Sequence, residues 1–143
     1  MLVSQILKHK GDMVFTASPT DSVAAVAALL QARRVGAMVV LDQDHDVAGI
    51  VSERDIVRIV AELGAEGLSR PIAECMTRDV VFADPAENVD ELLERMTDRR
   101  IRHLPVCERG KLLGIVSIGD LVKTKIAETE AEARSLKEYI TAG

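Results

Sequence analysis

Two stretches of the sequence carry a serine and an aspartate at the same spacing behind a run of apolar residues. The pattern Gly-Ile-Val-Ser-x-x-Asp occurs at Gly49–Asp55 and again at Gly114–Asp120. A serine three residues before an acid is typical of a helix N-terminus, where each side chain accepts a backbone amide. The same terminus can also present amides to an anion and a carboxylate to hydroxyl donors such as a ribose diol. Both interpretations stay open, and in both of them Ser52 and Ser117 cap their helices.

A second candidate for binding chemistry is a group of cations that only one half of the chain carries. Arg99, Arg100, Arg102 and His103 precede the apolar stretch Leu104-Pro105-Val106. Cations at the end of a helix complement its dipole, which accounts for Arg99. Arg102 and His103 enter an apolar strand, and a guanidinium beside a second donor suits a phosphate. We therefore predict a phosphate contact at Arg102 and His103.

The segments that must position these residues occur twice. Residues 33–40 align with residues 99–106 at an offset of 66, and residues 47–55 align with residues 112–120 at an offset of 65. Each copy reads as strand, helix, strand, strand, helix. The sequence thus predicts an α+β fold of two pseudo-twofold-related β-α-β-β-α repeats packed as one module. The predicted boundaries are 1–67 for the first repeat with its N-terminal helix, 68–128 for the second, and 129–143 for a helical extension.

Within each copy, the hydrophobic periodicity predicts where the first elements lie. The opening strands are expected at residues 13–16 and 79–82. The helices that follow have Thr20 or Asp21 as the expected N-cap in the first copy. Their apolar faces are expected to pack into the core. These faces consist of Val23, Val26, Ala27 and Leu30 in the first copy and of Val89, Leu92, Leu93 and Met96 in the second.

The ends of the chain add helical segments to this pattern. Residues 1–10 predict a leading helix that completes one copy, and residues 71–76 are expected to play the same part before the second. The last helix is expected to run to about Ile140. Its Leu121, Ile126 and Leu136 are apolar positions that call for a partner, which favours a homodimer.

Composition and charge exclude several classes of function. The net charge is −5 and only Phe15, Phe82 and Tyr139 are aromatic, so a nucleic-acid partner is not expected. No apolar run reaches the roughly 18 residues that span a bilayer, and the N-terminus has no charged leader or cleavage site. We therefore expect a cytoplasmic protein without a membrane partner.

The sequence predicts neither a metal site nor catalytic residues. Asp42, Asp44 and Asp46 imitate part of a calcium loop, but Val47 stands where such a loop needs glycine. The three histidines, at positions 9, 45 and 103, show no metal-ligand spacing and lie near no nucleophile motif. The chain is therefore not expected to be an enzyme.

The duplicated pattern resembles a pair of CBS domains, a regulatory module also called a Bateman module. The resemblance rests on residues 35–40 with 49–55 and on residues 101–106 with 114–120, and it extends from about residue 6 to residue 128. It implies a stand-alone module that binds an adenine nucleotide between its two repeats and dimerises. The implied regulatory ligands are AMP, ADP, ATP, NADH or S-adenosylmethionine.

The resemblance also implies roles for individual residues. Asp55 and Asp120 would hold ribose hydroxyls, with Ser52 and Ser117 near the phosphate. Phosphates would meet Arg102 and His103, with Arg54 as a further candidate. The adenine would lie between the end of the first strand in each copy and nearby aliphatic residues. The nucleotide-binding set is thus Thr16, Ala17, Val35, Gly36, Ala37, Ile50, Ser52, Arg54, Asp55, Phe82, Ala83, Ile101, Arg102, His103, Ile115, Ser117 and Asp120.

Three functions from different classes remain open at this point. The first is an adenine-nucleotide sensor whose ligand alters a dimer or effector interface. The second is a protein-interaction module without a ligand, in which the serines and aspartates only cap helices. The third is an enzyme acting on a nucleotide, for which the sequence offers no general base or metal site.

Overall fold

The computed structural model describes residues 1–11 and 14–142. Its α-helices are α1 (Val3–Lys10), α2 (Val23–Arg33), α3 (Glu53–Leu63), α4 (Val89–Arg99) and α5 (Ile118–Ala142). Its strands are β1 (Thr16–Ala17), β2 (Ala37–Leu41), β3 (Val47–Ser52), β4 (His103–Glu108) and β5 (Lys111–Ser117). Two 3₁₀ helices, Gly64–Ser69 and Ile72–Glu74, connect α3 to the second copy. The predicted α+β class is confirmed, and both copies share the order helix, strand, strand, helix, whereas an opening strand precedes this order only in the first copy.

The chain forms two compact units. The first-copy unit comprises Met13–Val81 and Arg109–Leu112, and the second-copy unit comprises Met1–Asp12, Phe82–Glu108 and Leu113–Gly143. The predicted boundaries at residues 67 and 128 follow the linear repeat and stay a prediction. The spatial grouping differs from them at α1, which belongs to the second-copy unit, and at residues 68–81 and 109–112, which belong to the first-copy unit.

The first-copy unit is built on a three-stranded sheet in the order β1-β2-β3. β1 pairs with β2 in parallel, and β2 pairs with β3 in antiparallel fashion. The apolar face of α2 packs into the core, as predicted, with Val23, Val26 and Leu30 buried beside Met38 and Val51. The expected N-cap is wrong, because Ser22 caps α2 and accepts the Ala25 amide, whereas Asp21 accepts the Ser18 amide in the preceding turn.

The opening strands are shorter than the sequence predicts. β1 covers only Thr16 and Ala17, and residue 13 of the predicted strand lies outside the described residues. The strand expected at residues 79–82 is wrong, because only Ala83 forms a bridge, to Val106. Pro105 occupies the position that corresponds to Val39, which pairs with Thr16 in the first copy. Because a proline has no N–H to donate, the parallel ladder cannot extend to this position in the second copy.

Each copy is completed by a segment that comes before the other copy in the sequence. α1 confirms the predicted leading helix, and the amides of Val3 and Ser4 donate to the carbonyls of Glu87 and Pro85 in the second-copy unit. Residues 72–77 lie against β3 of the first-copy unit, where Ile50 and Thr77 exchange two backbone hydrogen bonds. As predicted, each of the two leading segments completes one unit, although the second segment forms only a 3₁₀ turn.

The last helix confirms the predicted extension and goes slightly beyond it. The first turns of α5 pack against α4, and Leu121 is fully buried there. The prediction that Leu121 needs a partner is therefore wrong, whereas Ile126 and Leu136 are exposed. None of the helices in the described part of the chain is both long enough and apolar enough to cross a membrane.

Candidate functional site

In the first copy, β3 runs directly into α3 at Ser52. The Ser52 hydroxyl accepts the Asp55 amide at 3.4 Å, and Asp55 Oδ2 accepts the Ser52 amide at 2.9 Å. The carbonyl of Gly36 accepts the Glu53 amide at 3.0 Å. The predicted capping box is confirmed here, and these bonds satisfy most of the amides that a helix start leaves unpaired.

Further donors close around the Asp55 carboxylate. Asp55 Oδ1 accepts Arg58 Nη2 at 3.0 Å and Thr77 Oγ1 at 3.4 Å, and the same Arg58 atom donates to the Cys75 carbonyl at 3.0 Å. Both carboxylate oxygens of Asp55 are therefore engaged, and the residue is only 5% exposed. A buried carboxylate satisfied from all sides stabilises the fold and has little capacity left for a ligand.

The second copy repeats the junction with a more open carboxylate. Ser117 accepts the Asp120 amide at 3.2 Å and donates its own amide to Asp120 Oδ2 at 2.9 Å, which confirms the second predicted cap. Lys10 Nζ, from the end of α1, donates to the same Oδ2 at 2.7 Å and to the Ile115 carbonyl at 2.9 Å. Among the described residues, every hydrogen bond to this carboxylate falls on Oδ2, and the side chain is 28% exposed.

The surroundings of Asp120 shift its titration downward. Partial burial by itself would raise the pKa of the carboxyl, but the hydrogen bond from Lys10 and the Ser117 amide outweigh burial and hold the pKa below its usual range. The group is therefore ionised at neutral pH and accepts, rather than donates, hydrogen bonds. An ionised carboxylate with one available oxygen is suited to a hydroxyl donor.

Replacing Lys10 by methionine is expected to raise the pKa of Asp120. A depressed carboxyl pKa stabilises the fold above the unfolded pKa, and this contribution is lost as pH falls through the folded value. At neutral pH, Lys10→Met should cost about 0.5–1 kcal/mol, because the pair is partly exposed. The difference from the unmodified chain should vanish below the Asp120 pKa. NMR titration and urea unfolding between neutral and acidic pH measure both effects.

Lys8→Met provides the matched control, because Lys8 lies on the same helix and has no ion-pair partner among the described residues. An unchanged Asp120 titration in Lys10→Met would contradict the assignment of Lys10 as the residue that lowers this pKa.

The structure brings several of the predicted first-copy residues together around β2. Ala37 pairs with Ser52 across the sheet, next to Gly36 and the start of α3. Thr16 and Ala17 instead pair with Val39 and Val40, which lie about 7 and 10 Å beyond Ala37 along β2 at strand spacing. Ala17, Ala37 and Asp55 are buried, Val35, Gly36, Ile50 and Ser52 are half-buried, and Thr16 and Arg54 are exposed.

The predicted second-copy residues show the same arrangement. The Arg102 carbonyl accepts the Ile118 amide at 2.8 Å, which joins the start of β4 to the start of α5 beside Ser117 and Asp120. Ala83 is buried at its bridge to Val106 and lies further along β4. Ile101, His103, Ile115 and Ser117 are half-buried, whereas Phe82 and Arg102 are exposed.

Sequence reasoning missed four residues that bond to the predicted site residues. Lys10, Arg58 and Thr77 donate to the motif aspartates. Arg95 donates to the Phe82 carbonyl at 3.0 Å and pairs with Glu87, which lowers the pKa of that acid. A cation on α1 or α3 is indistinguishable from surface charge in the sequence. The 66-residue offset aligns Lys10 with residue 76, so it places Lys10 and Thr77 one position apart in the two leading segments, which is the one signal that relates them.

The acidic turn between β2 and β3 has a local explanation. The carboxylates of Asp42, Asp44 and Asp46 lie within 4.8 Å of one another. Asp42 Oδ1 accepts the amides of Asp44 and Asp46 at 2.9 and 3.0 Å, as an aspartate does when it stabilises a tight turn. The turn geometry accounts for the cluster, and the expectation of no metal site stays a prediction.

Comparison with known proteins gives a consistent family for both copies. A family model described as CBS domain matches residues 4–62 and 72–126. The mitochondrial CBS domain-containing protein CBSX3 of Arabidopsis thaliana is 31% identical over 149 aligned residues, which cover 99% of this chain and 72% of that protein.

Solved structures show the same relationship. The CBS-domain containing protein ATU1752 of Agrobacterium tumefaciens is 44% identical, with a TM-score of 0.84 over 87% of this chain and 92% of that one. The CBS domain pair of protein MJ0100, solved in complex with 5′-methylthioadenosine and S-adenosyl-L-methionine, is 26% identical, with a TM-score of 0.80 over 90% and 98% of the two chains. Because the family pattern occurs twice and covers most of the sequence, the chain belongs to the CBS domain family and carries two CBS domains in tandem.

Proposed function

We propose that the chain is a ligand-responsive regulatory module that binds an adenosyl compound at the second CBS domain. The observation that carries the proposal is the Asp120 carboxylate, which is ionised and partly exposed, with all its hydrogen bonds from described residues on one oxygen. A ribose hydroxyl would donate to the other oxygen, Oδ1. The CBS pair of MJ0100, whose structure contains two adenosyl compounds, supports this class of ligand.

The two copies would not contribute equally. The Asp55 carboxylate accepts hydrogen bonds from Ser52, Arg58 and Thr77, so in this proposal Asp55 has a structural role. Arg102 is exposed at the start of β4, and its carbonyl lies within hydrogen-bond distance of the first amide of α5. A phosphate placed beside Asp120 would be within the same β4–α5 junction, where Arg102 and His103 supply cationic and donor groups.

Calorimetric titration with AMP, ADP, ATP, NADH, S-adenosylmethionine and 5′-methylthioadenosine tests the proposal. Asp120→Ala should weaken the binding of every adenosyl ligand by about 10- to 100-fold, because a hydrogen bond from a hydroxyl to a charged acceptor contributes about 1.5–3 kcal/mol. Arg102→Ala should weaken AMP, ADP and ATP but leave 5′-methylthioadenosine unchanged, since that compound carries no phosphate. Arg99→Ala, at the end of α4, is the matched control and should bind like the unmodified chain.

The alternative functions predict different results. A ligand that binds the native state must stabilise that state. A protein-interaction module without a ligand would therefore show neither binding nor thermal stabilisation by any of these compounds. An enzyme acting on a nucleotide would consume ATP or NADH during the titration. Binding that survives Asp120→Ala would overturn the assignment of the site. The homodimer and the effector protein that the resemblance implies stay proposals.

A further inference from the structure

The distal part of α5 is a helix without support from the rest of the described chain. Every residue from position 129 to position 142 is exposed, including Leu136 at 62% and Ile140 at 69%. A helix of this length is marginal in water without packing against something. The apolar side chains on it are therefore placed for a partner that covers them.

The apolar positions follow the spacing of a two-stranded coiled coil. Counted along α5, alternate steps of four and three residues connect Val122, Ile126, Thr129, Ala133, Leu136 and Ile140. This is the a/d repeat of a heptad, with Ile126, Ala133 and Ile140 at a and Leu136 at d. Isoleucine at a with leucine at d favours two parallel strands.

The charges that flank this stripe are complementary between two copies in register. In a parallel pair, a g residue faces the e residue five positions later on the other helix. Glu132 occupies g and Lys137 occupies e, so each Glu132 would face Lys137 of the second copy. Neither residue forms a salt bridge within the described chain. The other such pair, Lys125 with Glu130, is weaker because Lys125 already bonds Asp90 at 2.9 Å.

We propose that two copies of this chain pair through the distal part of α5 as a parallel, in-register coiled coil. The occupant of the apolar stripe is thus the same stripe of a second copy. The short heptad run makes the pairing weak by itself, and the dimer is expected to dissociate measurably on dilution. This inference does not depend on ligand binding at Asp120.

Sedimentation equilibrium of the full chain tests the pairing. Leu136→Glu should weaken the dimer by more than about 100-fold, because a carboxylate at d would be buried without a partner in both copies. Ala131→Glu, at the outward f position of the same helix, is the matched control and should leave the dimer unchanged. Both residues are exposed in a single copy, so thermal unfolding should not change in the monomer. A monomeric unmodified chain, or a dimer that survives Leu136→Glu, would overturn the proposal.

Charge exchange tests the orientation of the two helices. Glu132→Lys alone should weaken the dimer by about fivefold, since two like-charged surface pairs replace two attractive ones. Combining Glu132→Lys with Lys137→Glu should restore the affinity in the parallel register. In an antiparallel pair, g residues face g residues and e residues face e residues, so Glu132 and Lys137 would not face each other and the exchange would not restore an attractive pair. A double variant that stays weak would therefore contradict the parallel arrangement.

Discussion

Replacing Asp55 by alanine is expected to lower the free energy of unfolding by about 3 kcal/mol. The carboxylate receives the amide and hydroxyl of Ser52, a guanidinium N–H of Arg58 and the hydroxyl of Thr77. Alanine would remove one half of the capping box and leave these donors to find water in a site that is nearly closed. Arg58 also loses the group that holds it against the Cys75 carbonyl. Urea unfolding without ligand measures the loss.

Asp120→Ala is the natural comparison, because the residue occupies the same motif position in the second copy. Its carboxylate is partly exposed, and its partner Lys10 can be solvated after the change. We expect this variant to lose about 1 kcal/mol of stability, close to the value of one cap. If the two variants cost the same, the contrast between a structural aspartate in the first copy and a binding aspartate in the second would fail.

Much of the fold could be predicted because the sequence pattern of each element occurs in both copies. The amphipathic spacing at Val23, Val26 and Leu30 recurs at Val89, Leu92 and Met96, and all six are buried. The errors fall where a local effect decides the outcome. Pro105 removes a ladder donor and shortens the second opening strand, a consequence visible only once its pairing partner is known. Ser22, rather than Thr20 or Asp21, caps α2 because helix starts are uncertain by a few residues.

The candidate site was harder to predict than the fold. The motif serines and aspartates could be named, and their capping role followed from their spacing. Which aspartate is closed depends on Arg58, Thr77 and Lys10, which come from other segments of the chain. Such long-range donors leave no local pattern. The sequence treats Asp55 and Asp120 as equivalent, whereas their surroundings make one of them buried and the other partly open.

The glycine of the motif gives the second large effect. Gly49→Ala is expected to cost about 2–3 kcal/mol, because the added methyl group overpacks a closed contact. A Cβ at position 49 would lie 2.8 Å from both Met76 Sδ and the Thr77 carbonyl oxygen. The sulfur can move, but the carbonyl is fixed, since the Ile50 amide donates to it at 3.0 Å and the Thr77 amide bonds back at 2.8 Å. Chemical unfolding measures this cost.

Gly114→Ala is the matched variant, and it should cost less than about 1 kcal/mol. A Cβ there would meet Leu7 Cδ2 at 2.8 Å, which is the far end of a side chain that can rotate away. The absence of a Cβ at each glycine thus allows close approach of the segment that completes the unit. That segment is α1 at Gly114 and residues 72–77 at Gly49. The shared glycine then has a packing origin and needs no ligand to explain it. Equal costs at the two positions would show that the fixed Thr77 carbonyl is not what makes the first glycine indispensable.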